Sequence, residues 1–387
     1  MRWITLCVVL ISVSAQAETL EQEFDRLRQE AELPAVATLR IADGQHSDHY
    51  ALGHRAANQP QLVGLDDRWH LGSCTKAMTA TLIATLVADG QLDWDATIPQ
   101  ALAGLDIDPA YADVTIAELL RMRAGTPANG PILIFTMAER GGALDASEAR
   151  RRYVAELLST PPDKWNDASS GRGQHHYSNA AYVIAGHCAE VITGRSWEDL
   201  MRSRLFEPLH MNHADFGPPP ATQPDQPTPL QPLGHLPKGS PVPPGPYADN
   251  PQLLGPAGTV HTSIAGWAAF IQCHLDGPSR PPGQRDALGL TAEHYRTLHD
   301  PGPLDVGSGD DPVGYAMGWL VLRRHWAGPD GGPGLALSHG GSNTLWYAVT
   351  WLAPQRRLAA LAATNTGRPT APGTLDLIAY RLLTRPD

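Results

Sequence analysis

The sequence has 387 residues, of which 42% are hydrophobic and 18% are charged. This composition is typical of a globular protein and excludes global disorder, and the length favours two subdomains over a single core. The formal net charge is −11. Because phosphate binding needs a basic face, this acidity argues against nucleic acid as a partner.

The first 17 residues have the organisation of a secretory signal peptide. Arg2 supplies the positive start, residues 3–13 are apolar, and residues 15–17 (Ala-Gln-Ala) form a small-residue cleavage site. A membrane anchor is the alternative, but the apolar run is too short to span a bilayer comfortably. We therefore expect a secreted or periplasmic protein that begins near Glu18 and has no integral membrane span.

Hydrophobic spacing predicts the secondary structure in chain order. The N-terminal part is predicted to contain a helix over 19–31, a β-hairpin over 35–41 and 47–53, and a helix over 77–89. From about residue 92 the pattern predicts helices with short loops, among them 115–122, 180–193, 197–205, 263–274 and a short one near 292–298. The C-terminal part is predicted to contain strands over 315–323, 335–339, 346–352 and 358–364, and a final helix over 375–383.

This order of elements predicts two domains after the signal peptide. Residues 18–75 and 314–387 together build an α/β sheet domain. Residues 76–313 form a mostly helical domain inserted between its two parts.

A serine and a lysine lie at the start of the helix predicted over 77–89. Ser73 and Lys76 are three positions apart, so on a helix they share a face. A lysine held there can take the proton of a serine hydroxyl if burial keeps part of it neutral, and the helix N-terminus adds backbone N–H groups beside the oxygen. Alone, this S-x-x-K motif is better explained as a serine N-cap followed by an exposed lysine.

Two later clusters favour the catalytic interpretation of Ser73 and Lys76 instead. They are Tyr-Ser-Asn from Tyr177 to Asn179, and His-Gly-Gly from His339 to Gly341. The three motifs, in this order, resemble the active site of the serine β-lactamase and penicillin-binding-protein superfamily. The branch that they resemble most contains class C β-lactamases, D-Ala-D-Ala carboxypeptidases and family VIII esterases. The resemblance covers roughly residues 33–366.

The resemblance implies an α/β (α+β) fold of the β-lactamase/transpeptidase-like type. Such a fold has an antiparallel central sheet flanked by helices, with an inserted mostly helical domain. It also implies an ordered loop over the site entrance at residues 218–251, where 13 of 34 positions are proline. Proline removes backbone donors, so this stretch cannot be a regular helix or a central strand; a flexible linker is the alternative.

The nucleophile and base follow from the first two motifs. Ser73 is the candidate nucleophile, and it needs a base within hydrogen-bond reach. Lys76 and Tyr177 are assigned to that role jointly, because the sequence does not decide which of them takes the proton. Asn179 is expected to bind the lysine amine and a substrate amide through the two ends of its side chain. Between them, Ser178 is expected to cap the apolar helix that follows, a role that is compatible with catalysis.

The third motif is expected to line the substrate. Gly341 lets a substrate backbone lie close, and the N–H of Ser342 would pair with that of Ser73 as an oxyanion hole. In the family, a lysine often stands where His339 stands here. Because a histidine is mostly neutral at pH 7, we expect weaker recognition of a β-lactam carboxylate and greater tolerance of esters or peptides.

One segment departs from the family pattern. Residues 121–125 read Arg-Met-Arg-Ala-Gly, where relatives usually carry Ser-His-Thr-Ser-Gly, and only the glycine matches. The surroundings of this loop are therefore not predicted.

The cysteine and histidine content bears on disulfides and metals. After removal of Cys7 with the signal peptide, Cys74, Cys188 and Cys273 remain. Three buried free thiols are favoured, and a Cys188–Cys273 disulfide stays open. The histidines that could suggest a metal site are His175, His176, His187, His210 and His213. They lack any H-E-x-x-H or Cys/His ligand pattern, so we expect no metal and no organic cofactor.

The sequence thus predicts a secreted serine hydrolase that forms an acyl-enzyme on Ser73 with an ester, amide or peptide substrate, as an esterase or D-peptidase does. The alternative within this class is a true class C-like β-lactamase. A non-catalytic periplasmic binding or sensor protein of the same fold is the alternative from another class, and a metal-dependent hydrolase is a third. The oligomeric state is not predicted.

Overall fold

A computed structural model describes residues 18–168, 171–220, 230–302 and 314–385. The predicted signal peptide lies outside the described residues, as do residues 221–229 of the predicted proline-rich loop.

The described chain contains short strands and helices of moderate length. The strands are β1 (Ala35–Ala42), β2 (Gln45–Gly53), β3 (Arg68–His70), β4 (Asp215–Phe216), β5 (Gly234–His235), β6 (Pro241–Val242), β7 (Val260–Ser263), β8 (Gly314–Ala316), β9 (Trp319–Arg324), β10 (Gly334–Ser342), β11 (Tyr347–Ala353) and β12 (Leu358–Thr364). The α-helices are α1 (Leu20–Glu30), α2 (Thr75–Ala88), α3 (Ile98–Ala101), α4 (Ile116–Leu120), α5 (Ile132–Arg140), α6 (Ala146–Leu158), α7 (Asn179–Thr193), α8 (Trp197–Met201), α9 (Gly255–Gly258), α10 (Ile264–Asp276), α11 (Ala292–His299) and α12 (Ala371–Thr384).

A seven-stranded antiparallel sheet joins the two ends of the chain. Its strand order is β2-β1-β12-β11-β10-β9-β8. The junction lies between β1 and β12, where Val36 pairs with Thr364 and Ala42 with Leu358. The predicted α/β fold with an antiparallel central sheet is therefore confirmed, whereas the predicted domain boundaries remain a prediction.

Strand β12 is buried along its whole length and contributes to two hydrophobic cores. Leu361 and its alternate neighbours belong to the core shared with α2, α7 and α10. Ala360 and Ala362 face the other side, where α1 and α12 cover the sheet. This alternation follows from the two-residue period of a strand, and the sheet is thus covered on both faces.

The strand predicted over 315–323 is instead a hairpin, in which β8 pairs with β9. Gly318 makes the turn, with φ of +85°. A Cβ at this position would lie 2.4 Å from the Cα of Ala77, so the turn fits only because glycine has no side chain. The apolar run of residues 315–322 continues through the turn, so the sequence pattern alone does not reveal the break.

A second, smaller sheet was not predicted. It has the order β3-β7-β4, and a separate hairpin pairs β5 with β6. These strands have two to four residues, too few for a period-two pattern to be recognised. Among the described residues, no helix combines the length and apolar character that a membrane span requires.

Candidate active site

Ser73 lies in a 3₁₀ turn, Gly72–Cys74, between the end of β3 and the start of α2. The side chains of α2 are buried from Thr75 to Leu86, so this helix runs through the interior with no solvent-facing side along that stretch. The turn at its N-terminal end leaves Ser73 half-buried. The serine is thereby accessible to a substrate while the helix behind it is fixed by the core.

Lys76 is fully buried and lies in the first turn of α2. Its Nζ lies 3.0 Å from Ser73 Oγ, 2.8 Å from Asn179 Oδ1 and 2.7 Å from the backbone oxygen of Ala257. Burial is the main cause that lowers the pKa of this amine from 10.5 to about 7. A substantial fraction of Lys76 is therefore neutral near pH 7.

The three neighbours of Lys76 suit the neutral amine. A neutral amine has two N–H donors and one lone pair. Asn179 Oδ1 and Ala257 O can only accept, so they take the two donors. The lone pair is left to accept from the one neighbour with a proton to give, the hydroxyl of Ser73.

The start of α7 positions Tyr177 and Asn179 on either side of Ser178. Ser178 Oγ accepts a hydrogen bond from the N–H of Ala181 at 3.0 Å, which is the predicted N-cap, and it donates to Pro127 O at 2.6 Å. Asn179 Oδ1 accepts from Lys76, as predicted. Its Nδ2 was expected to donate to a substrate. One of the two protons on Nδ2 is instead donated to Asn129 Oδ1 at 2.9 Å.

The segment that departs from the family sequence supports Tyr177 through its backbone. The N–H of His176 donates to Met122 O at 2.9 Å, and the N–H of Gly173 donates to Arg123 O at 2.8 Å. Backbone bonds do not depend on side-chain identity. This explains how the loop can keep its position although only Gly125 matches the family.

Tyr177 is 40% exposed at the mouth of the site. Lys76 Nζ lies 4.9 Å from the centre of its ring. Desolvation of the phenol raises the pKa of Tyr177 above its usual value of 10, and interaction with the Ser73 hydroxyl offsets only part of this rise. The phenol is therefore protonated at neutral pH.

The end of β10 contacts the 3₁₀ turn that carries Ser73. A Cβ at Gly341 would lie 2.0 Å from Leu71 O and 2.6 Å from Ser73 N, and a Cβ at Gly72 would lie 2.3 Å from Ser342 N. Only two glycines allow so close an approach of two backbones. Among the described residues, β9 pairs with β10 only as far as Ser338. Beyond that point, the edge of β10 opposite β11 lies beside the turn that carries Ser73, with Ser342 N close to Gly72.

His339 lies in β10 at the bottom of the site, and it is buried rather than exposed to substrate. Its Nδ1 lies 2.6 Å from Gly340 O, and its Nε2 lies 3.0 Å from the hydroxyl of Tyr315. Since a carbonyl only accepts, the ring proton lies on Nδ1, and Nε2 accepts from the tyrosine. Burial, followed by the charge of Lys76, lowers the pKa of His339 to about 3. The ring is neutral, as expected, but both of its nitrogens have partners within the protein.

Three residues of the site were missed by the sequence interpretation. Asn129 holds Asn179, Ala257 accepts from Lys76, and Tyr315 donates to His339. The stretch that contains Ala257, residues 255–258, stands out in the sequence as Gly-Pro-Ala-Gly, and this signal could have indicated a tight approach. Asn129 and Tyr315 have no distinguishing local pattern.

The remaining cysteines are free thiols, with Cys74 and Cys188 buried and Cys273 partly buried. Burial raises the pKa of Cys188 and of Cys273 to about 12, which keeps both in the thiol form. Within the described ranges, no group of three or more His, Cys, Asp or Glu side chains could hold a metal ion. His187 Nδ1 instead lies 3.0 Å from Glu190 Oε2.

Known proteins match this chain over nearly its full length. The model of the β-lactamase family matches residues 20–385. Penicillin-binding protein 4 of Amycolatopsis lactamdurans is 29% identical over 355 residues, which are 91% of this chain and 86% of that protein.

Two solved structures share the fold. A β-lactamase/D-alanine carboxypeptidase from Pseudomonas syringae has a TM-score of 0.71 at 18% identity, covering 95% of this chain and 98% of that one. An octameric penicillin-binding protein homologue from Pyrococcus abyssi has a TM-score of 0.72 at 20% identity, covering 94% and 76%. The chain therefore belongs to the β-lactamase family and is a serine hydrolase.

Proposed function

We propose that this hydrolase forms an acyl ester on Ser73, with Lys76 as the base, and that it cleaves ester, amide or peptide substrates after secretion. One observation carries the proposal: the buried amine of Lys76 lies 3.0 Å from Ser73 Oγ and has a pKa of about 7. A base with a pKa near the working pH combines the correct protonation state with a useful driving force for proton transfer.

The reaction follows from the contacts of the site. Lys76 takes the Ser73 proton as Oγ attacks the carbonyl carbon, and the N–H groups of Ser73 and Ser342 stabilise the oxygen that becomes negative. Collapse of this intermediate breaks the bond to the leaving group, which receives the proton, and leaves an ester on Ser73. Attack by water on that ester then releases the acid and restores the serine.

Tyr177 has the second role in this scheme. Its pKa is raised whereas that of Lys76 is lowered, so at neutral pH the lysine is the better base and the phenol is a hydrogen-bond donor. We assign Tyr177 to delivering a proton toward the leaving group. For the choice of base that the sequence left open, we therefore propose Lys76.

His339 supports the preference for esters and peptides over β-lactams. Because Gly340 and Tyr315 engage its two nitrogens, the neutral ring offers neither a positive charge nor a free donor to a substrate carboxylate.

A substrate panel tests the proposal. It contains a 4-nitrophenyl ester, a peptide ending in D-Ala-D-Ala, the methyl ester of that peptide, and benzylpenicillin. We expect the ester and the methyl-esterified peptide to turn over with kcat/KM at least equal to that of the free acid between pH 7 and 8. Faster turnover of the free carboxylate would contradict the role given to His339.

Two variants separate chemistry from folding in this panel. Ser73→Ala should abolish turnover, whereas Ser203→Ala, which alters a hydroxyl bonded to Asp199 O on a helix surface, should leave it unchanged. Failure of a fluorophosphonate to label folded protein would instead favour the non-catalytic binding protein. Turnover that survives Ser73→Ala but is lost with a chelator would favour the metal-dependent hydrolase.

Secretion is tested independently of activity. In a Gram-negative host the protein should accumulate in the periplasm with an N-terminus near Glu18. A cytoplasmic product that keeps residues 1–17 would contradict this part of the proposal.

A further inference from the structure

A buried carboxylate lies behind the site, on the segment that precedes α9. The side chain of Asp249 is only 5% exposed. Its Oδ1 lies 2.8 Å from His70 Nε2 and accepts hydrogen bonds from Asn343 Nδ2 at 2.8 Å and from the N–H of Asn250 at 2.7 Å. Burying a charge costs free energy unless the charge is paired or hydrogen-bonded. The arrangement of these residues around the Asp249 carboxylate therefore needs an explanation.

The first of these contacts leads to Ser73. His70 ends β3, is fully buried, and its Nδ1 accepts the N–H of Gly72 at 3.1 Å. Because Nδ1 accepts, an N–H of the ring is on Nε2, the nitrogen that lies 2.8 Å from Asp249 Oδ1. The carboxylate thus contacts the ring, and the ring holds the N–H of the residue directly before Ser73.

The second contact leads to Ser342. Asn343 is buried and follows Ser342 in the chain. Its Nδ2 donates to Asp249, and its Oδ1 accepts the N–H of Leu345 at 3.1 Å. The same carboxylate oxygen therefore holds the chain on both sides of the proposed oxyanion hole, next to Ser73 and next to Ser342.

We propose that Asp249 is a positioning residue for the oxyanion hole, acting through His70 on Ser73 and through Asn343 on Ser342. This inference rests on the proposed function, because it concerns the same acyl-transfer site. Each N–H donor contributes about 10²–10³ to the rate when it is correctly placed. Neither donor is part of the Asp249 side chain, so the carboxylate acts only by fixing the spacing of the two backbone segments.

The test uses a ligand that reports on the oxyanion hole itself. Phenylboronic acid adds to a serine as a tetrahedral adduct that resembles the transition state, and the affinity of such analogues follows kcat/KM. In Asp249→Ala, which removes the oxygen that accepts all three contacts, we expect boronate affinity and kcat/KM to fall together by about 10- to 100-fold. The apparent pKa of the pH–rate profile should stay unchanged, because it belongs to Lys76.

A pair of substitutions at His70 tests the connection. Asparagine can accept a hydrogen bond from the N–H two residues ahead, so His70→Asn can keep the bond to Gly72 but is too short to reach Asp249. His70→Ala loses both contacts and should be the slower of the two. Because His70→Asn breaks one of the contacts that Asp249→Ala removes, the double variant should be no slower than the slower single variant.

The control is a carboxylate remote from the site. Asp286 accepts the N–H groups of Leu288 and Leu290, each at 2.9 Å. Asp286→Ala should lower thermal stability without changing boronate affinity. If Asp249→Ala does not fold, Asn343→Ala and the His70 pair carry the same measurements.

Several results would overturn the inference. One is a boronate affinity within twofold of the parent in folded Asp249→Ala; another is a loss of kcat/KM without a loss of boronate affinity. Multiplicative effects in the His70–Asp249 double variant would also contradict it. Full activity of Ser73→Ala would instead show that the proposed function itself is wrong.

Discussion

Replacing Lys76 by methionine should change the stability of the protein in a pH-dependent way. The free energy of unfolding of Lys76→Met, relative to that of the parent, should be higher at low pH than at high pH. Methionine has a similar length and no charge. The substitution removes the hydrogen bonds to Ser73, Asn179 and Ala257, at a cost that does not depend on pH. It also removes a titration that does depend on pH, because burial lowers the pKa of the Lys76 amine from 10.5 to about 7.

The sign follows from proton binding. Between pH 7 and 10.5 the unfolded chain binds more protons at this lysine than the native protein does, so parent stability rises with pH across that window. For these two pKa values, the free energy of unfolding of the parent should rise by roughly 2–3 kcal/mol, relative to that of Lys76→Met, between pH 6 and pH 9. Lys76 is fully buried, so screening by solvent does not reduce this figure.

Urea unfolding of both proteins at pH 6, 7, 8 and 9 measures the effect. The other titrating groups largely cancel in the difference. His339, the histidine that feels the charge of Lys76, has a pKa of about 3, well below this range. A stability difference between parent and variant that is constant from pH 6 to pH 9 would refute the assignment of a neutral buried amine.

Three further substitutions test separate parts of the site. Tyr177→Phe should slow amide cleavage by about 10²-fold or more while an ester with a good leaving group, which needs no proton, is affected much less; equal loss on both substrates would contradict the proton-delivery role. Gly341→Ala should cost at least tenfold in kcat/KM, because the new Cβ would lie 2.0 Å from Leu71 O, whereas Gly373→Ala, which meets nothing within 4 Å, should leave kcat/KM unchanged. Tyr315→Phe should lower the free energy of unfolding by about 1–3 kcal/mol, since it leaves a buried nitrogen of His339 without a donor, and an unchanged urea midpoint would show that this bond contributes nothing.

The sequence predicts the elements of the large sheet because burial leaves a local pattern. Strand β12 was predicted with the boundaries that it has, Leu358–Thr364, since a run of small apolar residues bounded by polar ones has few alternatives. The predicted cap at Ser178 also agrees with the structure, because capping needs only residues three apart. Both features depend on neighbours in the chain.

The missed features depend on residues that are distant in the chain. The bond from Lys76 to Ala257 O spans 181 residues, and nothing near either residue indicates the other. His339 shows the same limit in another form. Its neutral state follows from the ordinary pKa of histidine, but the engagement of both nitrogens requires Tyr315, 24 positions earlier. The motifs identified the nucleophile helix, whereas the environment of each motif needed the fold.

Formation of a covalent acyl-enzyme on Ser73 is the central claim, and intact mass tests it most directly. The mature protein and Ser73→Ala are incubated with benzylpenicillin and, separately, with a 4-nitrophenyl ester. The reactions are quenched in acid, the intact mass of each protein is measured, and any adduct is located by peptide mapping. We predict an adduct with at least one of the two reagents, mapped to the peptide that contains Ser73 and absent from the variant. Two results would contradict the account. One is the absence of any adduct while the parent and Ser73→Ala consume the ester equally; the other is an adduct on a different residue.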